Sequence, residues 1–162
     1  MGSGKGKTRR AQNSTSQRTS SLKVLPDGTK EWCNSEGELH REDGPAVEYP
    51  DGRKEWFRRN QYYREDGPVV ECENGDKVWR RNYQLHRDDG PAVERGDGAE
   101  EWHRNGSLHR VDGPALTTAS GKKEYWLYGK KATAKEVQEI KKVALLGRLK
   151  KVELGTPEKV TF

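Results

Sequence analysis

Short stretches of alternating polar and apolar residues recur along the middle of the chain. Residues 53–57 alternate in this way, and residues 46–48 resume an extended segment after a turn. Alternation with a period of two is typical of a β-strand with one covered face. Asp-Gly and Asn-Gly pairs separate these stretches, as at residues 51–52 and 105–106, and such pairs favour tight hairpin turns. The pattern predicts short antiparallel strands joined by hairpins.

The same pattern returns at a fixed interval. Asp-Gly-Pro occurs four times with a constant spacing, and its copies begin at Asp43, Asp66, Asp89 and Asp112. An aromatic residue follows almost the same interval, with tyrosine in a fifth, incomplete copy: Trp32, Trp56, Trp79, Trp102 and Tyr125. Self-similarity at a fixed period indicates a repeat architecture. We therefore predict an all-β repeat fold, an elongated single-layer antiparallel β-meander of about four and a half hairpin repeats with two strands per repeat.

The five repeat aromatics are the predicted source of stability. Stacked units place equivalent residues in a row, roughly 10 Å apart if each repeat adds two strands. We expect the indoles to pack on one another, beside small Ala and Val side chains, because each aromatic can bury about 150–250 Å². In the Asp-Gly-Pro turn, we expect Asp to accept a backbone N–H, Gly to supply a positive φ and Pro to fix its own φ.

Three regions follow from the repeat boundaries: a tail over residues 1–24, repeats over residues 25–131, and a helical end over residues 132–162. Thr133-Ala134-Lys135-Glu136 matches a capping box, which predicts a helix from about Ala134 to Leu146 that ends at Gly147. Val137, Ile140 and Ala144 would form its apolar stripe. Residues 149–154 fit either a final strand or further helix. The helix either covers the last hairpin as a cap or docks on a partner.

Composition and charge refine this picture. Only 30% of the residues are hydrophobic and 35% are charged, with a mean hydropathy of −1.20, which argues against a thick core. Residues 1–24 carry six basic residues and no acid, and are predicted to be a disordered tail. Residues 25–128 carry 16 Lys and Arg against 22 Asp and Glu, so the repeat body is acidic although the net charge is +5. The basic residues concentrate at the two ends.

The compartment is predicted from what the sequence lacks. No stretch reaches the roughly 18 apolar residues that a membrane helix needs. Cys33 and Cys72 are far apart in the sequence and stand at non-equivalent repeat positions, so they form neither a disulfide framework nor a CxxC site. We expect a reducing, intracellular location such as the cytoplasm.

The recurring motif resembles a known repeat. LHRxDGP, with YYREDGP in one copy, together with Trp and Asn-Gly at fixed intervals, resembles the MORN repeat in its bacterial and viral variant with LHRxDGPA units. The resemblance covers residues 25–131, about two thirds of the chain. It implies a curved or straight β-meander used for protein–protein, and sometimes lipid, contacts. It also implies a bacterial, phage or viral setting, such as a virion component or an inhibitor of a host complex, in the virion or the host cytoplasm.

Candidate chemistry is repeated rather than assembled once. His40, His86 and His109 share one repeat position, and a spacing of roughly 10 Å is too wide for ligands of one metal ion. An Arg precedes each Asp-Gly-Pro Asp by two residues, and we interpret these pairs as turn-stabilising, or as a solvated ladder of charges, rather than catalytic. Residues 2–8 resemble a phosphate loop, but the spacing is wrong by one residue and no strand precedes them. We predict no catalytic, cofactor-binding or metal-binding residues and no enzyme.

Two functions remain open. The first is a non-catalytic protein–protein interaction or scaffold module that uses the repeat sheet as its binding surface. The alternative is a protein that binds RNA or DNA phosphates through basic terminal segments. The residues predicted for that contact are Lys5, Lys7, Arg9, Arg10, Arg18, Lys141, Lys142, Arg148, Lys150 and Lys151. We rank this second because the acidic repeat body would repel nucleic acid.

Overall fold

A computed structural model describes residues 20–153 as a chain of very short strands followed by one helix. The strands are β1 Ser21–Val24, β2 Lys30–Cys33, β3 Val47–Glu48, β4 Lys54–Glu55, β5 Phe57–Arg58, β6 Gln61–Tyr62, β7 Val70–Glu71, β8 Lys77–Val78, β9 Arg80–Arg81, β10 Gln84–Leu85, β11 Val93–Glu94, β12 Glu100–Glu101, β13 His103–Arg104, β14 Ser107–Leu108, β15 Leu116–Thr117, β16 Lys123–Leu127 and β17 Lys130–Ala132. The helix α1 spans Ala134–Glu153.

Eleven of these strands form one long antiparallel sheet, which confirms the predicted meander. Its order is β1-β2-β3-β4-β7-β8-β11-β12-β15-β16-β17, so each strand lies beside its neighbour in sequence except where a hairpin intervenes. The register repeats from unit to unit: Glu55 pairs with Val47 on one side and with Val70 on the other. A repeat therefore extends the sheet by contacts with its two neighbours alone, as expected of a repeat protein.

Each full repeat contains four strands rather than the predicted two. The extra pairs are the separate hairpins β5–β6, β9–β10 and β13–β14, which we call the hairpin row together with residues 126–131 at the end of β16–β17. The repeat tryptophan lies where the chain leaves the sheet and enters the hairpin, as Trp56 does between β4 and β5. The hairpin turns have two residues at positive φ, with 52° at Arg59 and 59° at Asn60. The sequence pattern predicted a single strand on both sides of the tryptophan, whereas the structure has one strand before it and another after it.

The tail predicted over residues 1–24 ends earlier in the structure. Ser21–Val24 forms the edge strand β1 and pairs with β2, with Leu22 opposite Trp32. Although Ser21–Val24 alternates polar and apolar residues, it directly follows the basic, Ser- and Thr-rich stretch and was assigned to the tail; all four residues are exposed. The remaining part of the predicted disordered tail, residues 1–19, lies outside the described residues.

The buried core is a thin line of small side chains. Ala46, Ala92 and Ala115 have no exposed surface, and the Val residues of the same turns are nearly as buried. These residues follow Pro in each Asp-Gly-Pro turn and enter the long sheet. A chain with so few apolar residues can fold in this way because each small side chain is covered by the adjacent repeat.

The repeat tryptophans pack on arginine, so the prediction that they stack on one another is wrong. The guanidinium carbon of Arg41 lies 4.1 Å from the Trp32 ring centre, and the same pairing recurs at 3.9, 4.0 and 3.6 Å in the next three repeats. The guanidinium also donates a hydrogen bond to the Pro carbonyl of the following turn, at 3.2 Å in the first repeat. A cation over an indole face is attracted by the ring quadrupole, so arginine occupies the space that a second indole would need.

Glycine completes this arrangement by leaving room for the guanidinium. A Cβ on Gly90 would lie 2.6 Å from the Arg87 guanidinium carbon, and Gly44 and Gly113 are similarly tight. We call the unit of indole, guanidinium and glycine the Trp–Arg–Gly sandwich. The predicted reason for this glycine was a positive φ, but only Gly67 among the four has one, at 144°. In the other three repeats, the short distance to the arginine guanidinium favours glycine at this position.

The helix begins at the predicted capping box and continues beyond the predicted end. The Thr133 N–H donates to Glu136 Oε2 at 2.7 Å, and the Glu136 N–H donates to Thr133 Oγ1 at 3.2 Å. The predicted stop at Gly147 is wrong, because α1 runs through to Glu153. A single helix-interior glycine costs about 1 kcal/mol, and the Leu, Arg and Lys residues around it favour helix.

The predicted apolar stripe of α1 is only partly covered. The helix packs on β16, and Val137 is 2% exposed, whereas Ile140 is 41% exposed and Ala144 is also exposed. Its capping contact is therefore made by its first turns. Within residues 20–153, α1 lacks the long apolar stretch that a membrane-spanning helix requires.

The Trp–Arg–Gly sandwich generates a prediction about Gly90. We expect Gly90→Ala to lower the free energy of unfolding by about 1–3 kcal/mol, because the new methyl group overpacks the guanidinium of Arg87. In an Arg87→Ala background the same substitution should cost much less, which urea unfolding of the four proteins of this double-mutant cycle will measure. An equal loss in both backgrounds would contradict the steric explanation.

Candidate binding surface

Only half of the basic residues predicted to contact nucleic acid lie within the described part of the chain. Lys5, Lys7, Arg9, Arg10 and Arg18 lie outside the described residues. Lys141 and Lys142 are exposed on α1, and Arg148, Lys150 and Lys151 belong to the same helix. The structure thus places the second predicted group on one helix and leaves the first untested.

Three of the four repeated Arg–Asp pairs are hydrogen-bonded across their turns, whereas no bond joins Arg64 and Asp66 in the second repeat of the described structure. Arg87 Nε donates to Asp89 Oδ1 at 3.1 Å, and the Arg110–Asp112 pair is equivalent at 2.6 Å. The hydrogen bond from Arg110 lowers the pKa of Asp112 below its ordinary value. Each of these arginines is also held in its sandwich, so it is fixed in place by packing as well as by charge.

The three repeat histidines are buried, and two of them are hydrogen-bonded within the hairpin row; the His40 ring has no hydrogen-bond partner among the described residues. His86 is 6% exposed, and its Nδ1 accepts the Asn105 N–H of the next hairpin turn at 3.1 Å. His109 Nδ1 accepts the Tyr128 N–H in the same way, also at 3.1 Å. Nδ1 of these two rings is therefore a hydrogen-bond acceptor. No group of three metal-ligating side chains converges within residues 20–153.

Charge is segregated between the hairpin row and the rest of each repeat. From residue 57 onward, the four hairpin segments 57–62, 80–85, 103–108 and 126–131 hold seven basic residues and no acid: Arg58, Arg59, Arg80, Arg81, Arg104, Lys130 and Lys131. The acidic residues lie in the turns and strands between them. The net charge of residues 25–128, which is negative, conceals these basic segments, and the basic row was therefore not predicted.

Two furrows open on the hairpin side of the sheet. The larger, which we call the main furrow, has a volume of about 860 Å³ between hairpins β5–β6 and β9–β10. Residues that line it include Tyr62, Tyr63, Arg64, Trp79, Arg80 and Tyr83. The smaller furrow of about 480 Å³ lies between the first Asp-Gly-Pro turn and the second repeat, and it shares Tyr63 and Arg64 with the main furrow.

The aromatic side chains of the main furrow are held in position yet accessible. The Tyr62 ring stacks on Phe57 at 4.3 Å and meets Tyr83 edge-on at 6.4 Å, with the Arg80 guanidinium 5.4 Å from its centre. Tyr63 is 46% exposed and Tyr83 is 55% exposed, so both rings offer a face to solvent. Burial, followed by the charge of Glu55, raises the pKa of Tyr62, which keeps its hydroxyl protonated.

The main furrow carries charge of both signs. Five arginines line it together with four carboxylates, those of Glu65, Asp66, Asp88 and Asp89. Arg81 pairs with Asp88 at 2.6 Å, while Arg80 is bonded to the Tyr83 carbonyl rather than to a carboxylate. The furrow offers stacking faces, donors and acceptors, which is the chemistry of recognition.

The sequence analysis missed the tyrosines of the main furrow as site residues. One signal was present, because YYREDGP departs from LHRxDGP in a single copy and Asn82-Tyr83 replaces Asn-Gly in the turn that faces it. From the sequence, YYREDGP was only a variant of the motif, and Asn82-Tyr83 was not singled out. Their position on opposite sides of one furrow is visible only when adjacent repeats are placed together.

The fold and the surface define a class: a β-meander repeat protein with a helical C-terminal cap and an aromatic, arginine-rich furrow on its hairpin side. No protein-family model matches the chain, and no curated protein is similar to it at a significant level.

The buried His109 generates a prediction about pH. Burial, together with the nearby charge of Arg104, lowers the pKa of His109 from its ordinary value of 6.5. The folded state then binds fewer protons than the unfolded state, so this contribution to stability is complete above about pH 6.5 and is lost as the pH falls through the lowered pKa. His109→Asn retains an acceptor for the Tyr128 N–H but does not titrate.

We expect the stability difference between wild type and His109→Asn to shift in favour of the variant as the pH falls below about 6.5. Urea unfolding of both proteins across this interval measures the shift. Parallel stability profiles would show that His109 titrates alike in the folded and unfolded states.

Proposed function

We propose that this chain is a non-catalytic protein-binding module whose MORN-like repeats hold a partner protein against the hairpin side of the sheet. The main furrow is the observation that carries this proposal. It gathers Tyr, Trp and Arg side chains, the three residue types that dominate binding energy in protein interfaces. Accessible Tyr63 and Tyr83 on a rigid sheet would bind with little loss of side-chain entropy.

The arrangement of polar residues supports binding rather than catalysis. The arginines and carboxylates that could serve as acids or bases recur in successive repeats and are held in the Trp–Arg–Gly sandwiches. An active site is instead assembled from a nucleophile, base and electrophilic group that converge once. Both cysteines, Cys33 and Cys72, are partly exposed and unpaired, which fits a reducing compartment.

Native purification of the tagged full-length chain from its source cells, with nuclease added, tests this function. We expect a second protein to co-purify in fixed stoichiometry. Tyr83→Ser should weaken that complex by roughly 30-fold in Kd, since truncating a central interface tyrosine costs about 2 kcal/mol. Tyr128→Ser is the matched control, because Tyr128 is 69% exposed on the last hairpin and does not line the furrow. Recovery of an inert monomer would argue against the proposal.

The basic hairpin row favours a second candidate, a protein that binds RNA or DNA phosphates. Its seven arginine and lysine residues lie along one side of the repeats, and the basic residues 1–19 and those of α1 could extend the contact. Phosphate contacts of this kind carry no sequence information. We rank it second because four carboxylates also face the main furrow and would repel a polyanion.

Titration of a labelled oligonucleotide at several salt concentrations tests the second candidate. If the hairpin row binds phosphate, affinity should fall steeply with salt. Replacing Arg58, Arg59 and Arg81 with Gln should then make the dependence shallower by up to about 0.9 for each phosphate that is no longer neutralised. Removing residues 1–19, which keeps β1 intact, tests the tail separately. No binding at low salt would exclude this function.

A further inference from the structure

Adjacent hairpins of the row are joined by two backbone hydrogen bonds. In one, the second residue of a hairpin turn donates to the preceding hairpin, as Gly106 N–H does to the Leu85 carbonyl at 2.9 Å. In the other, the sandwich arginine donates to the following hairpin, as Arg87 N–H does to the His103 carbonyl at 3.4 Å. Both bonds recur between the fourth and fifth repeats, and between the second repeat and the first, where Cys33 and Leu39 pair by a single bridge just before the row.

The junction between the second and third repeats lacks both bonds. Tyr83 N–H does not donate to the Tyr62 carbonyl, and Arg64 N–H does not donate to the Arg80 carbonyl; neither N–H has a hydrogen-bond partner within residues 20–153. The phenol of Tyr83 instead donates to the Asn60 carbonyl at 2.9 Å. The main furrow opens at this junction, and the four residues Tyr62, Arg64, Arg80 and Tyr83 all line it.

Two sequence departures coincide with the open junction. At the position of Tyr63, His86 and His109 each accept the N–H of the next hairpin turn and so hold that turn against their own repeat. The His40 ring accepts no bond from described residues, and its junction is closed by the backbone bonds and by Asn60 Oδ1, which accepts the Leu39 N–H at 2.7 Å. A tyrosine has no ring nitrogen to accept this bond, and the Tyr63 ring is 46% exposed. Tyr83 occupies a turn position, at a φ of 62°, that glycine occupies in the next two repeats. Its side chain spans to the preceding hairpin.

The Asp-Gly-Pro turn beside the open junction is also altered. In the first, third and fourth repeats the sandwich arginine bonds to the Asp of this turn, at 2.9, 3.1 and 2.6 Å. In the second repeat, Arg64 keeps only one carboxylate bond, to the strand glutamate Glu71 at 2.6 Å, which Arg87 also makes to Glu94 at 2.8 Å, and Gly67 has a φ of 144°. Asp66 forms no ion pair with described residues, so its carboxylate is available at the rim of the main furrow.

From these observations we infer that the main furrow receives an extended segment of the partner's polypeptide, a ligand class that deepens and rests on the protein-binding function proposed above. Two N–H donors and two carbonyl acceptors lie unpaired across the junction, and an extended peptide backbone carries both kinds of group. The tyrosine rings supply apolar contacts to its side chains.

The charge of the furrow favours a polypeptide over a polyanion. Five arginines and four carboxylates line it, so a peptide with residues of either sign finds a counterpart while a phosphate backbone meets repulsion. The backbone groups contribute affinity without regard to side chains, and the pockets beside Tyr63 and Tyr83 contribute specificity.

A variant that restores the regular repeat tests this inference. Tyr63→His supplies the missing acceptor, and Tyr83→Gly recreates the Asn-Gly turn of the fourth repeat, so the full-length double variant should close the junction. We expect it to unfold at a urea concentration no lower than wild type, because two hydrogen bonds are regained. Tyr128→Ala serves as the control for loss of an exposed aromatic side chain away from the furrow.

The probe is a display library of random linear peptides selected on the wild-type chain. We expect selected peptides to bind wild type and Tyr128→Ala equally and the double variant at least about tenfold more weakly. Their binding should shift the amide resonances of Arg64 and Tyr83. The inference would be overturned if the peptides bound the double variant with equal affinity, if the resonance shifts were confined to another region, or if no peptide could be selected. It would also be overturned if an oligonucleotide, rather than a peptide, bound wild type and lost affinity for the double variant.

The protein-binding function and the peptide site in the main furrow can be distinguished by experiment. If a native partner co-purifies with wild type and with the closed double variant alike, the protein-binding function stands and the main furrow is not its peptide site. If no partner co-purifies although selected peptides bind the furrow, the inferred site stands as peptide-binding and the scaffold function fails.

Discussion

The guanidinium held between an indole and a glycine is the interaction on which the rest of this structure depends. It recurs in four successive repeats with ring distances of 3.6–4.1 Å, and each guanidinium also bonds to the carbonyl of the proline that follows. A chain with 35% charged residues has little apolar surface to bury. In the sandwich, charged arginine side chains take part in packing. A cation over an indole face stabilises the fold by about 0.5–2 kcal/mol while its hydrogen-bond donors remain satisfied. The small alanines and valines beneath it then need only a thin layer of cover.

Regular repetition of this sandwich makes its one interruption informative. Where a histidine is present, adjacent hairpins close on each other; the His86 and His109 rings accept the N–H of the next hairpin turn, whereas the His40 ring has no hydrogen-bond partner among the described residues. Where Tyr63 replaces it, the hairpins separate, the long sheet continues unchanged, and a furrow forms between them. Departures confined to one junction can open the hairpin row in this way because repeats contact only their neighbours. The stable sheet thus tolerates a local opening that a closely packed globular core would not.

The topology also sorts charge. Basic residues occur in the hairpin segments and acidic residues in the intervening turns, so the fold turns an alternating sequence into a basic side and acidic remainder. Averages over residues 25–128 conceal this because positive and negative segments cancel within each repeat. Recognition surfaces depend on local charge within about 10 Å, which is why the hairpin row and the furrow have to be considered separately from the net charge.

The sequence by itself determined the repeat length, the antiparallel meander, the thin core after each Asp-Gly-Pro and the capped start of the helix, because these follow from local periodicity and turn chemistry. It identified the arginines of the turns but misassigned the packing of the tryptophans, since the choice between indole–indole and indole–guanidinium contact depends on distances between strands. The four-strand repeat, the edge strand β1 and the extension of α1 past Gly147 were also missed. Only the tertiary structure placed Tyr63 opposite Tyr83: they belong to different repeats, and their meeting is decided by hydrogen bonds between hairpins rather than by any local preference.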